Sequence, residues 1–220
     1  MSFVSIMTSE SGIVRDGLQV WLDSNIKSSF PSESSSPYTW HDLTLNNRYG
    51  TLTPTSVNDI GNDGEVGPIY FNGGSGIGGK VVNYNLPVLL AADSFTWSIV
   101  IYLPSGNLNY DVIFGNRYDS PDASGTEFVK FTPTNFEYYS NGAAHTSYTI
   151  PTNQFHHLCV TKNGNLFTYY DNGEVVNTRT TTKNLTGSNP IYFGTGNSTF
   201  TAENANVTFY QVLLYERGLS

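Results

Sequence analysis

The sequence predicts an all-β protein, a two-sheet antiparallel sandwich behind a short N-terminal arm. Three observations predict it. Apolar residues alternate with period two, as in Phe95-Thr96-Trp97-Ser98-Ile99-Val100-Ile101, which puts every second side chain on one face. The pairs Asn141-Gly142, Asn163-Gly164 and Asn172-Gly173 separate such runs, and Asn-Gly tolerates the positive φ at both central positions of a type I′ hairpin turn. No stretch shows a capped helical stripe. The chain is rich instead in Asn, Thr, Ser and Gly, which suit turns and strand faces.

In chain order, residues 1–16 read as a separate arm: apolar over 1–7, then polar, as an edge strand or docking tail would be. Strands are expected over 17–23, 40–43, 68–72, 95–101, 111–115 and 126–131. An antiparallel meander follows over 135–140, 143–150, 155–162, 166–171 and 174–178, then strands over 190–194 and 207–215. About a dozen strands in one domain require two stacked sheets. No linker, repeat or charge run divides residues 17–220, and a chain of 220 residues buries roughly 70% of its unfolded surface without staples.

Composition narrows function. With 14% aromatics and 13% charged residues the chain is unlike a disordered one. The net charge of −8 and the lack of any Lys/Arg cluster argue against nucleic acid and against an anionic membrane surface. They leave carboxylates for a cation such as calcium. No window approaches the ~20 apolar residues of a membrane-spanning helix. The first residues lack the basic and apolar regions of a signal peptide, so synthesis in a cytoplasm or export by a signal-independent route is expected. The one cysteine, Cys159, permits no intrachain disulfide and reads as a buried inert thiol.

Several segments resemble, in order, the concanavalin A-like lectin/glucanase superfamily in its laminin G-like form. They are Gly17-Leu18 with Trp21-Leu22-Asp23; Trp40-His41-Asp42-Leu43 with Asn46-Asn47 and Gly50-Thr51-Leu52; Tyr70-Phe71-Asn72-Gly73; Ser94-Phe95-Thr96; Phe155-His156-His157-Leu158-Cys159-Val160-Thr161; and Tyr215-Glu216-Arg217-Gly218-Leu219-Ser220. Two positions depart from the family pattern: Asn72 where it has Asp, and Phe155 where it has Trp, read as a packing swap. The resemblance implies a jelly-roll sandwich with one curved sheet and rim loops, a form common in phage structural proteins and bacterial surface proteins. It does not fix function, because this fold hosts lectins, hydrolases and scaffolds.

Glycoside hydrolysis needs two carboxylates across the scissile bond. The acidic motif E-x-D-x-x-E of the laminarinase-like members is missing, Glu137 stands alone on its strand, and no nucleophile elbow occurs; no enzyme activity is expected. His156 and His157 point to opposite faces of one strand and His41 and His145 are isolated, so zinc is not expected. Calcium needs several oxygen ligands. One candidate loop carries Asp59, Asp63 and Glu65, the other Asn116, Asp119 and Asp122; neither has EF-hand spacing, and solvated Asx turns are the alternative. For sugar, the loop after the apolar run 112–114 combines Asn116, Tyr118, Asp119 and Asp122, an aromatic ring beside polar groups at a sheet rim. Tyr138 or Tyr139 is a further aromatic candidate, against the alternative that such rings pack the core.

Two functions from different classes follow. The first is a non-catalytic display protein of a phage virion: a capsid decoration, fibre or tail component, made in the host cytoplasm and exposed on the virion surface. It would dock to other virion proteins through the arm, within a homo-oligomer or larger assembly, and adhere weakly to cell-surface glycans. The second is a stand-alone carbohydrate-binding module, extracellular or on a cell surface. A glycoside hydrolase ranks third.

Overall fold

The computed structural model describes residues 12–29, 38–46, 48–52, 67–71, 83–84, 94–116, 129–138, 144–182, 191–195 and 203–219. Among them lie fifteen strands and no α-helix: β1 Leu18–Asp23, β2 Tyr38–His41, β3 Tyr49–Leu52, β4 Ile69–Phe71, β5 Asn83–Tyr84, β6 Ser94–Leu103, β7 Phe114–Gly115, β8 Val129–Phe131, β9 Asn135–Tyr138, β10 Ala144–Ser147, β11 Gln154–Asn163, β12 Leu166–Asp171, β13 Glu174–Thr180, β14 Tyr192–Phe193 and β15 Val207–Tyr215. The largest sheet has seven strands in the order β1-β15-β6-β11-β12-β13, with β4 also pairing β15. A five-stranded sheet runs β10-β9-β8-β7-β14. A third, smaller sheet, β2-β3-β5, was not expected from the sequence. Every strand pairing is antiparallel.

Turn chemistry places the meander. Asn172 (φ 52°) and Gly173 (φ 84°) occupy the two central positions between paired Asp171 and Glu174, the type I′ geometry expected of Asn-Gly. Asn163-Gly164 does otherwise. Asn163 pairs with Leu166, so Gly164 and Asn165 form the turn, and of these two only Gly164 has positive φ. Glycine at the first central position suits a type II′ turn, and the Lys162 ammonium donates to the Gly164 carbonyl at 2.5 Å. Asn141-Gly142 lies outside the described residues, between β9 and β10, which pair as expected. The strand expected over 40–43 ends instead at His41. Beyond it Asp42 leaves the ladder, and its Oδ1 accepts from the backbone N–H of Trp21 at 2.8 Å and of Thr44 at 3.0 Å.

That carboxylate belongs to a plug on the outer edge of β1. The Leu43 N–H donates to the Trp21 carbonyl, and the Gln19 carbonyl accepts from Asn46 Nδ2 at 3.1 Å and Arg48 Nη1 at 2.8 Å. An unpaired strand edge otherwise presents open donors and acceptors. The Asp-Leu-x-x-Asn pattern that resembles the family is thus an edge cover made largely of side chains.

The core lies between the two larger sheets. Phe95, Trp97, Ile99 and Ile101 of β6, Leu158 and Val160 of β11, Phe167 and Tyr169 of β12, and Val207, Phe209, Val212 and Leu214 of β15 point inward from one side. Phe114, Val129, Phe131, Phe136, Tyr138 and Phe193 meet them from the other. Phe114 contacts Trp97 (5.2 Å between centroids), Phe131 (6.0 Å), Phe193 (4.9 Å) and Phe209 (6.3 Å). A polar rivet sits at one end of this layer. Buried His156 holds Asp171 through Nδ1 at 2.9 Å and the Pro151 carbonyl through Nε2 at 2.7 Å, and the Tyr148 hydroxyl donates to Asp171 at 2.7 Å. A carboxylate and a backbone carbonyl thus face the two ring nitrogens.

On the outer side of the largest sheet, Ile13, Leu43, Leu213 and Leu219 pack around Leu18, Trp21 and Tyr215. The Arg15 guanidinium lies 4.5 Å from the Trp21 ring centroid, and Asp16 pairs with Arg217 at 3.0 Å. Residues 13–16 of the expected arm therefore rest on the sandwich; residues 1–11 lie outside the described set.

Two stability predictions follow from this packing. Phe114→Ala should cost about 3–5 kcal/mol in chemical denaturation, since the ring touches four others and the site cannot collapse; a loss below about 1 kcal/mol would contradict its place at the centre. Asp42→Ala should cost about 1–3 kcal/mol by stranding the buried Trp21 N–H, whereas a neutral result would mean that water replaces the plug.

Candidate functional site

Because side chains alternate along each strand, the outer face of the largest sheet is a second surface built from the same strands as the core. Its composition changes along its length. At one end lies the covered apolar cluster around Trp21 and Tyr215. At the other, aromatic side chains come together, half-buried Tyr70, Tyr102 and Tyr210 around exposed Phe155. Tyr70, between inward Ile69 and Phe71, pairs with Thr208; Thr208 pairs with Tyr102; Tyr102 pairs with Phe155. These four form one cross-strand row through β4, β15, β6 and β11.

Tyr210 joins the row through an irregularity. The register of β15 against β6 shifts between Phe209 and Gln211, and the extra residue is Tyr210. Phe155 then stands edge-on between two tyrosines, 5.3 Å from Tyr102 and 5.3 Å from Tyr210, at interplanar angles of 67° and 61°. Phe155 is 43% exposed, so the packing it makes is with the tyrosines of the outer face and not with the core. Burial, and then nearby Tyr102, push the Tyr210 phenol upward, which keeps it a neutral hydroxyl able to donate and accept.

A second row flanks the first. His157 pairs with Val100, Val100 with Gln211, and Gln211 with Asp23. Gln211 Nε2 donates to Asp23 Oδ2 at 2.9 Å, and burial raises the Asp23 carboxyl above its ordinary value. His157 Nε2 and Ser98 Oγ are 2.7 Å apart, and burial pushes the imidazole below its usual value. Cys159, one step further along β11, is half-buried, and burial pushes its thiol up to about 12. Asp23, Gln211 and Ser98 of this flank are buried, so contacts to a ligand would fall to the aromatic strip, whose rings can stack on the C–H faces of a sugar.

The residues expected from the sequence fare differently. Asn116 is buried; its Oδ1 accepts from the Val129 N–H at 2.6 Å and its own N–H donates to the Val129 carbonyl at 2.9 Å, so its amide joins β7 to β8 and is not offered to a ligand. Tyr118, Asp119 and Asp122 of that loop, and Asp59, Asp63 and Glu65 of the other, lie outside the described residues. Tyr138 is fully buried against Phe167 and Phe95, a core ring after all, and Tyr139 is outside the described set. Among the described residues no group of three or more His, Cys, Asp or Glu is placed to hold a metal ion.

Glu137 is the one acid on its strand but has a cation across from it. Lys130 Nζ lies 3.8 Å from Glu137 and 3.3 Å from Glu203, and only 3% of Lys130 is exposed. A buried ammonium is thus shared between the two carboxylates. His156 and His157 face opposite sides as expected: one is buried with Asp171, the other lies on the outer face. The aromatic strip itself escaped the sequence. Each tyrosine has the parity of an outward residue in an alternating run, but strand order alone brings the four strands together.

A sequence profile of the concanavalin A-like lectin/glucanases superfamily matches residues 63–220. Among curated proteins, none matches the chain. Among solved structures, a mutant Trypanosoma rangeli sialidase displaying trans-sialidase activity superposes with a TM-score of 0.63 at 16% identity, over 94% of this chain and 32% of its own. The binding domain of Paraclostridial Mosquitocidal Protein 1 gives 0.61 at 17%, over 93% and 50%. The binding domain of botulinum neurotoxin serotype D gives 0.55 at 16%, over 93% and 49%. The chain thus spans about a third of the sialidase and half of the toxin binding domains, and at these identities the likeness concerns the fold alone.

The outer face has a pH signature. His157 titrates below an unfolded histidine, so the unfolded chain binds more protons in that range. Stability contributed here is full above the unfolded value, near 6.5, and is lost as pH falls through the lowered folded value. Urea midpoints measured at pH 7 and pH 5 should fall less in His157→Gln than in the unaltered chain; equal falls would remove His157 from the account.

Proposed function

Since this chain belongs to the concanavalin A-like lectin/glucanase superfamily, we propose that it is a non-catalytic module that binds glycans weakly and is displayed in many copies. The observation that carries this reading is the aromatic strip on the outer face of the largest sheet, exposed Phe155 with half-buried Tyr70, Tyr102 and Tyr210. In this reading the array is a phage virion, with the chain as a decoration, fibre or tail component docked through its N-terminal residues. The resemblance of its segments to domains of phage structural proteins supports that setting. Contacts of ~1 kcal/mol each imply roughly millimolar affinity for one sugar. Many copies on one surface raise the effective affinity by about 10²–10⁴. A stand-alone lectin-like module is the second reading and uses the same strip. The hydrolase reading is weakened by Lys130, which sits between Glu137 and Glu203.

The test is a glycan array probed with multimerised protein. Phe155→Ala and Tyr102→Ala should each lower binding to every hit by about tenfold, while circular dichroism and unfolding midpoints confirm a folded chain. If both variants bind as the unaltered chain does and Tyr118→Ala or Asp119→Ala abolishes binding, the site is the rim loop expected from the sequence and the strip has no role. If the multimer binds nothing, the module is a scaffold without a sugar function.

A further inference from the structure

We infer that the ligand of the outer face is a neutral, extended glycan chain that crosses the strands along the row Tyr70–Thr208–Tyr102–Phe155; this rests on reading that face as a glycan site. The direction follows from what surrounds the row. Along β6 the outward residues after Tyr102 are Val100, Ser98 and Thr96, and the sheet there passes under the cluster of Leu18, Trp21, Leu213 and Tyr215. A chain laid along the strands would leave the aromatic rings within one or two residues. Across the strands the row is aromatic on β4, β6 and β11, with Thr208 between on β15.

The spacing fits a polymer of rings. Neighbouring strands lie about 4.8 Å apart, so Tyr70 to Phe155 spans three intervals, roughly 14 Å. One interval is close to the advance of one pyranose in an extended chain, so three to four rings would cover the row. Tyr102 and Phe155 then serve adjacent rings. Thr208 offers a hydroxyl to the next, and Tyr70 stacks on the last. Tyr210 stands beside Phe155 and lets the platform step where the chain twists.

The charge fits a neutral ligand. Neither this row nor the flanking row of His157, Val100, Gln211 and Asp23 contains Lys or Arg. The Tyr210 phenol and the His157 imidazole are both held toward their neutral forms by burial, and Asp23 turns its carboxylate to Gln211. The whole chain carries −8, which repels a polyanion at low salt. Binding a carboxylated or sialylated chain normally draws on a guanidinium or ammonium, and neither row supplies one.

The experiment is a calorimetric titration of the full chain with neutral cello-, manno- and chito-oligosaccharides of one to six units, and with oligogalacturonides of the same lengths, at about 0.1 M salt. At least one neutral series should gain about tenfold in affinity from one unit to four and then level off. The acidic series should bind about tenfold more weakly than that series at four units. Tyr70→Ala should weaken the tetramer and leave the dimer unchanged, because the dimer is served by Tyr102 and Phe155. The inference fails, with the glycan reading intact, if the galacturonides bind as well as or better than every neutral series, or if one unit binds as tightly as four. The glycan reading itself fails if no sugar binds, or if sedimentation shows a dimer that Phe155→Ala dissolves, which would make the face an interface between copies.

Discussion

The two larger sheets meet through rings set edge to face, and Phe114 touches four of them, Trp97 on β6, Phe131 on β8, Phe193 on β14 and Phe209 on β15. Aromatic pairs at these separations favour tilted over face-to-face contact, so the layer fixes how the sheets sit on each other. Trp40, 5.6 Å from Phe193, ties the small third sheet to the same layer. The cost is visible. The indole N–H groups of Trp40 and Trp97 and the hydroxyl of Tyr169 are buried without a hydrogen-bond partner. Apolar burial outweighs them here. The consequence for function is alternation: once Trp97, Ile99 and Ile101 must point inward, Ser98, Val100 and Tyr102 must point outward.

Two polar devices hold the ends of this layered structure. Asp42 with Asn46 and Arg48 covers the free edge of β1. Tyr148, Asp171 and His156 join the segment 148–151, which follows β10, to β11 and β12 of the largest sheet. Both involve residues whose types suggest chemistry, a carboxylate beside polar groups and a His-Asp pair. Both are structural, because their hydrogen bonds tie strands to the segments that flank them. The outer face of the largest sheet is treated unevenly in turn. One half is covered by Ile13, Leu43, Leu213 and Leu219, and the other half is aromatic, with Phe155 exposed.

Much of the architecture was legible in the sequence. The alternation of β6, β11 and β15 marks strands and their inward face, and Asn172-Gly173 forms the turn its chemistry demands. The misreadings have physical causes. Asn163-Gly164 lies one residue early, because a glycine alone can open a type II′ turn. Asn116 has the composition of a ligand-binding residue, but its amide is used between two strands. In the sequence Phe155 reads only as a packing swap; alternation along β11 sends it outward, while His156 goes in. The strip was not legible, because Tyr70, Tyr102, Phe155 and Tyr210 lie far apart in sequence. Only the order β4-β15-β6-β11 makes them neighbours.

That order makes the outward aromatic row the centre of the functional account, and fluorine NMR tests it most directly. Protein carrying 3-fluorotyrosine at its fifteen tyrosines, with signals assigned by single Tyr→Phe variants, would be titrated with the neutral oligosaccharide that binds best. The account predicts that the signals of Tyr70, Tyr102 and Tyr210 shift together and saturate at one concentration, while core Tyr138 and Tyr169 stay still. Shifts confined to Tyr118, with the three strip tyrosines unmoved, would contradict it.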